Sequence, residues 1–218
     1  SVPRAVAPKI VKDCIQKEVG GVCFFTSGFA ETNTEEGIRL QNEITNLARQ
    51  ADLLIIGPNC VGVYNPRAGF SFVTDFPRES GGVSLVCQSG GNTIYFVRLA
   101  AERGIRFSKV ISYGNACDVD ESDMFEYLAE DAETDLVAAY IEGVKDGQRF
   151  RQVLNRLASR KPVMVLKGGS THLGARAAAS HTGSLSGSDA AWTSLLDQSG
   201  VLRVHTLEEL VDAAVTFI

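Results

Sequence analysis

The sequence predicts an α/β fold in which helices cover both faces of a parallel β-sheet. Short, continuous apolar runs recur along the chain. Two of them, VCFFT at 22–26 and LVAAYI at 136–141, are typical of strands that are buried on both faces. Segments with apolar residues at helical spacing alternate with these runs. Because alternating strands and helices build parallel sheets, the pattern predicts a doubly wound architecture.

Residues 1–66 are predicted to contain, in chain order, the helix 5–19, the strand 22–26, the helix 34–50 and the strand 53–56. Thr34 is a good capping residue for the second helix, and two glutamates follow it at the positive end of the helix dipole. A two-stranded parallel sheet is not stable by itself. We therefore expect this segment to be the C-terminal half of a Rossmann-like domain whose first half lies outside the sequence.

Residues 67–80 predict a linker, and residues 81–218 predict a second domain. The strands of this domain are expected at 83–87, 110–113, 136–141, 163–166 and 201–204. Helices are expected between and after them, at 92–103, 121–131, 147–160, 189–199 and 206–217. Five such β/α units predict a flavodoxin-like, five-stranded parallel sheet with the strand order 2-1-3-4-5.

Composition excludes several classes of protein. The formal charge is −5 and no basic stripe offsets it, which argues against a nucleic-acid partner. No apolar run approaches the roughly 20 residues that a membrane helix needs, and no signal peptide is recognisable. The five cysteines lack CxxC spacing, so they predict neither a disulfide framework nor a metal site. This cysteine usage favours the reducing cytoplasm.

Small and polar residues follow the strands of the second domain, where ligands bind in open α/β sheets. The clearest case is Ser89-Gly90-Gly91, which leads from a strand directly into a helix and so offers unpaired N–H groups to an anion. An ordinary strand-to-helix turn is the alternative. The hydrolase motif G-x-S-x-G does not fit, because Cys87 stands where its first glycine would be.

Glu142 ends an apolar strand, where a carboxylate needs a partner. One interpretation is a structural salt bridge, for example with Lys167. The other is that Glu142 accepts a hydrogen bond from an imidazole, fixes its tautomer and supports its positive charge. The pattern of residues leaves both open.

His181 lies in a stretch of small residues, 170–188, that is predicted to be a long loop. Loops of this length inside a domain are uncommon unless they are functional or disordered. The other two histidines, His172 and His205, have the sequence context of solvated or helix-flanking residues. A neutral imidazole nitrogen is a competent nucleophile for phosphorus, and the N-terminus of the helix after Ser89 could hold the phosphoryl group.

Five segments resemble one known family in their order and spacing. They are GPNCVGVYNP (57–66), SLVCQSGG (84–91), YGNACDVD (113–120), IEG (141–143) and ARAAASHTGSLSG (175–187). Together they resemble the α-type half of the NDP-forming acyl-CoA synthetases. The resemblance is nearer to the ADP-forming acetyl-CoA synthetases than to the succinyl-CoA synthetases, whose motif around the histidine is shorter.

The resemblance implies a role for each matching residue. His181 would be the phosphorylated histidine and Glu142 its carboxylate partner, while Ser89, Gly90 and Gly91 would begin the helix that holds the phosphate. The implied reaction interconverts acyl-CoA, phosphate and ADP or GDP with acid, CoA and ATP or GTP. It passes through an acyl phosphate and a phosphohistidine.

In the same way, Ser27, Gly28, Asn59 and Cys60 would line the site for CoA and the acyl group, with Cys60 not acting as a nucleophile. The cofactors implied are CoA and ATP or ADP with Mg²⁺, the nucleotide being bound mainly by an ATP-grasp β-type domain or subunit. We expect an oligomer, and we expect this chain alone to be inactive.

Two other interpretations compete with this one. A non-catalytic acyl-CoA-sensing module, as in the synthetase-like halves of some protein acetyltransferases, would be expected to lack the loop histidine. A flavin protein would be expected to carry a Ser/Thr-rich phosphate loop after the first strand of the second domain. No motif identifies the carboxylic acid.

Overall fold

A computed structural model describes residues 2–169 and 188–218 and has the predicted α/β architecture. Its strands are β1 Gly21–Cys23, β2 Leu54–Ile56, β3 Gly62–Tyr64, β4 Ser80–Cys87, β5 Phe107–Ser112, β6 Leu136–Ile141, β7 Val163–Lys167 and β8 Leu202–Val204. Its helices are α1 Ala7–Gln16, α2 Glu35–Arg49, α3 Gly90–Glu102, α4 Glu121–Glu130, α5 Gly147–Ala158, α6 Asp189–Gln198 and α7 Leu207–Thr216. Short 3₁₀ turns lie at Arg4–Val6 and Ala30–Thr32.

The larger sheet of the described chain has the strand order β3-β5-β4-β6-β7-β8. Its strands β4 to β8 are parallel to one another, in the 2-1-3-4-5 order that was predicted. The five parallel strands predicted for residues 81–218 are thus confirmed, and the sheet extends beyond them at one edge. A sixth strand, β3, pairs antiparallel with β5, so that Gly62 lies opposite Ser112 and Tyr64 opposite Val110.

The strand β3 was missed because it is only three residues long and lies between turn residues. It belongs to the segment 1–66, yet its hydrogen bonds are with the sheet of the second predicted domain. The domain boundaries at 66 and 80 stay a prediction. The other elements lie within a few residues of the predicted positions.

A second, two-stranded parallel sheet is formed by β1 and β2, as predicted. The helices α1 and α2 pack on it through a buried cluster that includes Val11, Ile44 and Ile55. Thr34 caps α2, because its side chain accepts a hydrogen bond from the N–H of Gly37 at 3.1 Å. This is the cap that the sequence predicts.

Two apolar cores lie against the larger sheet, one on each face. The first contains Phe125, Phe150 and Trp192, whose neighbouring ring centroids are 5.7 and 5.6 Å apart. The second contains Phe96 and Phe107 with a centroid distance of 6.1 Å. Within residues 2–169 and 188–218, none of the helices has the length and apolar content that a membrane-crossing segment requires.

The two sheets are joined through the loops that follow β2 and β5. Backbone N–H groups of the second loop donate to carbonyl oxygens of the first, from Cys117 to Gly57 and from Asn115 to Pro58, both at 3.0 Å. This approach requires a glycine at position 114. A Cβ atom at Gly114 would lie 2.3 Å from the carbonyl oxygens of both Pro58 and Asn59, and the φ angle there is +52°.

We predict that Gly114→Ala lowers the free energy of unfolding by about 1–3 kcal/mol, because the added methyl group collides with backbone and the residue has a left-handed conformation. Urea denaturation of the purified chain measures this change. Gly147→Ala is the matched control. Gly147 opens α5 without a positive φ, and among the described residues no neighbouring atom lies within 4 Å of the place that a methyl group would take. Equal stability of the two variants would contradict the prediction.

Candidate active site

A cavity of about 560 Å³ lies at the carboxyl ends of β4, β5 and β6, against the loops that follow β1 and β2. Its lining contains most of the site residues that the sequence predicts, namely Ser27, Asn59, Cys60, Ser89, Gly90, Gly91 and Glu142. His181 lies outside the described residues. The structure therefore brings together two sets of residues that were predicted separately, one for CoA and one for phosphate.

The N-terminus of α3 opens onto this cavity. Ser89 caps the helix, because its hydroxyl oxygen accepts a hydrogen bond from the N–H of Asn92 at 3.3 Å. The N–H groups of Gly90 and Gly91 precede the first intrahelical hydrogen bond and are therefore donors available to a ligand. Together with the helix dipole, they give this side of the cavity a positive potential.

Glu142 is half-buried and faces the same cavity. The Tyr140 hydroxyl lies 3.3 Å from its Oε1 and donates to it. The ammonium group of Lys167 donates to the backbone carbonyl of Glu142 at 2.8 Å and to that of Gly168. Burial lowers the pKa of Lys167, while the nearby charge of Glu142 acts in the opposite direction. Lys167 thus fixes the backbone at the end of β6.

Cys60 contributes a buried thiol to the cavity wall. Its Sγ lies 3.6 Å from the Sγ of Cys23 and 3.6 Å from the carbonyl oxygen of Phe24. The contact with Cys23 and burial both raise the pKa of Cys60. A thiol with a raised pKa is a poor nucleophile. The geometry therefore favours a packing role for Cys60.

Gly28 is a predicted site residue that does not line the cavity, whereas the other described site residues do. Its N–H donates to Glu31 Oε1 at 2.5 Å, and its carbonyl oxygen accepts a hydrogen bond from Arg4 at 2.7 Å. Both backbone groups are thus bonded within the protein. Gly28 shapes the loop that presents its neighbour Ser27 to the cavity.

Two functional candidates were not among the predicted site residues. Gln88 and Asn115 both line the cavity and both are buried. The amide nitrogen of Asn115 donates to Glu31 at 2.5 Å and to Gln41 at 2.9 Å, which ties the loop after β5 to the first segment. The sequence feature that could have indicated both residues is an amide side chain at or just beyond the end of an apolar strand, because a buried amide needs hydrogen-bond partners.

A family model described as "Succinyl-CoA ligase like flavodoxin domain" matches residues 80–217. The chain belongs to this family. The resemblance to NDP-forming acyl-CoA synthetases that the motifs predict is thereby confirmed, and curated relatives agree with it. The acetate–CoA ligase [ADP-forming] of Methanocaldococcus jannaschii is 42% identical over 97% of this chain and 30% of its own length.

Another relative of this succinyl-CoA-ligase-like chain is a subunit. The acetate–CoA ligase [ADP-forming] II subunit alpha of Pyrococcus furiosus is 41% identical over 99% of this chain and 47% of its own length. A solved acetyl-coenzyme A synthetase 1 of Candidatus Korarchaeum cryptofilum, in complex with phosphate and ADP, superposes with a TM-score of 0.88. The match has 34% sequence identity and covers 97% of this chain and 46% of the solved chain. The chain thus spans less than half of these relatives.

One buried carboxyl group of the succinyl-CoA-ligase-like chain does not belong to the described lining of the cavity. Glu121 is the first residue of α4, directly after the loop that carries Asn115, and it is 2% exposed. Burial raises its pKa to about 7, and the charge of Asp120 adds to the effect. Because its pKa is higher in the folded than in the unfolded chain, the folded state binds more protons between about pH 4.5 and pH 7.

We predict that the ionisation of Glu121 lowers the free energy of unfolding as the pH rises through this window. The decrease is complete above the pKa of the folded state. Glu121→Gln should raise the free energy of unfolding at pH 8 by on the order of 1–3 kcal/mol and change it little at pH 4.5. Urea denaturation of both proteins at several pH values checks this. Parallel pH profiles for wild type and variant would contradict it.

Proposed function

We propose that this chain is the α-type part of an NDP-forming acid–CoA ligase. The observation that carries the proposal is the shared cavity, in which the N-terminus of α3 faces Glu142 next to Asn59 and Cys60. Phosphate, an acyl group and a carboxylate partner for an imidazole would all meet there. The proposed reaction converts acyl-CoA, phosphate and ADP into acid, CoA and ATP, and is reversible.

In the first step, a phosphate oxygen attacks the thioester carbonyl, so that an acyl phosphate forms and the CoA thiolate leaves. The N–H groups of Gly90 and Gly91 hold the phosphate oxygens during this step. Next, an imidazole nitrogen of His181 attacks phosphorus, and the carboxylate of the acid leaves. Phosphohistidine then transfers its phosphoryl group to ADP. Splitting the transfer in this way separates two reactions that both require water to be excluded.

The remaining components follow from the relatives. The Pyrococcus furiosus protein is named as a subunit alpha, which supports a separate or fused β-type partner with the ATP-grasp fold. We propose that this partner binds the nucleotide with Mg²⁺. The solved Korarchaeum protein contains phosphate and ADP, which supports the same two ligands for the complete enzyme. The names of the relatives support acetate or a related small carboxylic acid as substrate.

His181 is proposed as the phosphoryl carrier. With the complete enzyme, [γ-³²P]ATP and Mg²⁺, we expect a protein-bound label that is labile to acid and stable to base, as a phosphoramidate is. His181→Ala should abolish it, whereas His172→Ala and His205→Ala serve as matched controls and should keep it. Label that persists without His181 would refute His181 as the carrier, whereas an unsubstituted enzyme that takes up no label would favour a non-catalytic sensing module over a ligase.

Glu142 is proposed to orient the imidazole and to offset its developing positive charge. Glu142→Gln keeps the size and one acceptor but removes the charge. The phosphorylation rate should fall by a factor on the order of 10²–10⁴, with the melting temperature nearly unchanged. Glu102→Gln, at the far end of α3, is the control. A lower melting temperature with intact transfer would instead make Glu142 a structural residue.

A further inference from the structure

Gln88 connects the end of β4 with the end of β6 through its side chain. Its Oε1 accepts hydrogen bonds from the N–H groups of Glu142 at 2.7 Å and Gly143 at 3.2 Å. The hydroxyl of Tyr113 donates to the same oxygen at 3.4 Å. An amide oxygen has two lone pairs, so these donors use its whole accepting capacity.

The donors also fix the orientation of the amide group. If the oxygen and nitrogen of Gln88 were exchanged, the amide N–H groups would face the backbone N–H groups of Glu142 and Gly143, and donor would oppose donor. A backbone N–H cannot become an acceptor, so the exchange is excluded. The Nε2 atom therefore lies on the side of the amide group that faces away from these two N–H groups.

The amide nitrogen has no acceptor in the described part of the chain, residues 2–169 and 188–218. Gln88 is only 6% exposed, and it lines the cavity directly before the residues that begin α3. The nitrogen is not one of the fully buried side-chain atoms that lack a partner. Because Gln88 lines the cavity, the amide N–H groups are open to a ligand there that supplies an acceptor.

We propose that Gln88 is a phosphate-binding residue, whose Nε2 donates to an oxygen of the phosphoryl group held at the N-terminus of α3. This rests on the proposed function and deepens it. The chemistry favours a neutral amide at this position. A lysine or arginine would form an ion pair with the neighbouring Glu142 and compete with the imidazole, whereas an amide provides donors without charge.

The variant Gln88→Glu tests the donor nitrogen of the amide group separately from its acceptor oxygen. The introduced carboxylate can still accept from the N–H groups of Glu142 and Gly143, but it presents an anion to the phosphate in place of a donor. In the complete enzyme at pH 8, titration calorimetry should show that the Kd of inorganic phosphate rises by at least about tenfold, the effect of losing a hydrogen bond to a charged group. The melting temperature and the KM for acetyl-CoA should stay near wild type.

A pH series gives a readout that a structural role would not produce. As the pH falls, the introduced carboxyl group becomes protonated and can donate, so the Kd ratio of variant to wild type should approach one. Gln148→Glu, on the exposed first turn of α5, carries the same charge change and should leave the Kd unchanged. These results together would support the inference.

Three outcomes would overturn it. They are an unchanged phosphate Kd in Gln88→Glu, a parallel loss of stability and of acetyl-CoA affinity, or no phosphate binding by the unsubstituted enzyme. Failure of the proposed function would look different. The unsubstituted enzyme would then bind phosphate without labelling His181, and the comparison of Kd values would still test Gln88 alone.

Discussion

The cavity depends on the backbone contact between the loops that follow β2 and β5. The N–H groups of Asn115 and Cys117 donate to the carbonyl oxygens of Pro58 and Gly57, and Gly114 allows the two backbones to approach closely. These hydrogen bonds fix the position of the small sheet relative to the larger one. Without them, Asn59 and Cys60 would not lie near the N-terminus of α3. The geometry that joins the predicted acyl and phosphate sites is therefore a property of the backbone.

Charge is distributed unevenly around this cavity. The N-terminus of α3 offers backbone N–H groups to the cavity, and the carboxylate of Glu142 lines the same cavity. The ammonium group of Lys167 donates hydrogen bonds to the carbonyl oxygens of Glu142 and Gly168. Backbone dipoles can thus hold an anion in the cavity that Glu142 also lines. Preorganised dipoles of this kind stabilise developing charge without reorganising during the reaction.

Side-chain amides act as structural connectors in this protein. Gln88 joins the ends of β4 and β6, and Asn115 joins the loop after β5 to Glu31 and Gln41 in the first segment. Amides suit this task because each provides both donors and an acceptor and carries no charge that would disturb Glu142. The carboxylate of Glu31 in turn holds the N–H group of Gly28. The walls of the cavity are therefore coupled through partly buried hydrogen bonds.

The sequence by itself determined the elements and the chemistry at their ends. Periodicity and caps are local properties, so the strands β4 to β8, the cap at Thr34 and the turn at Ser89 could all be predicted. Only the tertiary structure decided which distant groups meet. Strand β3 exists because β5 offers an edge to pair with, and Gly28 is turned from the cavity by Glu31. The role of Gln88 follows from N–H groups 54 and 55 residues away. No local pattern contains such contacts, because loop geometry and sheet order bring their partners together.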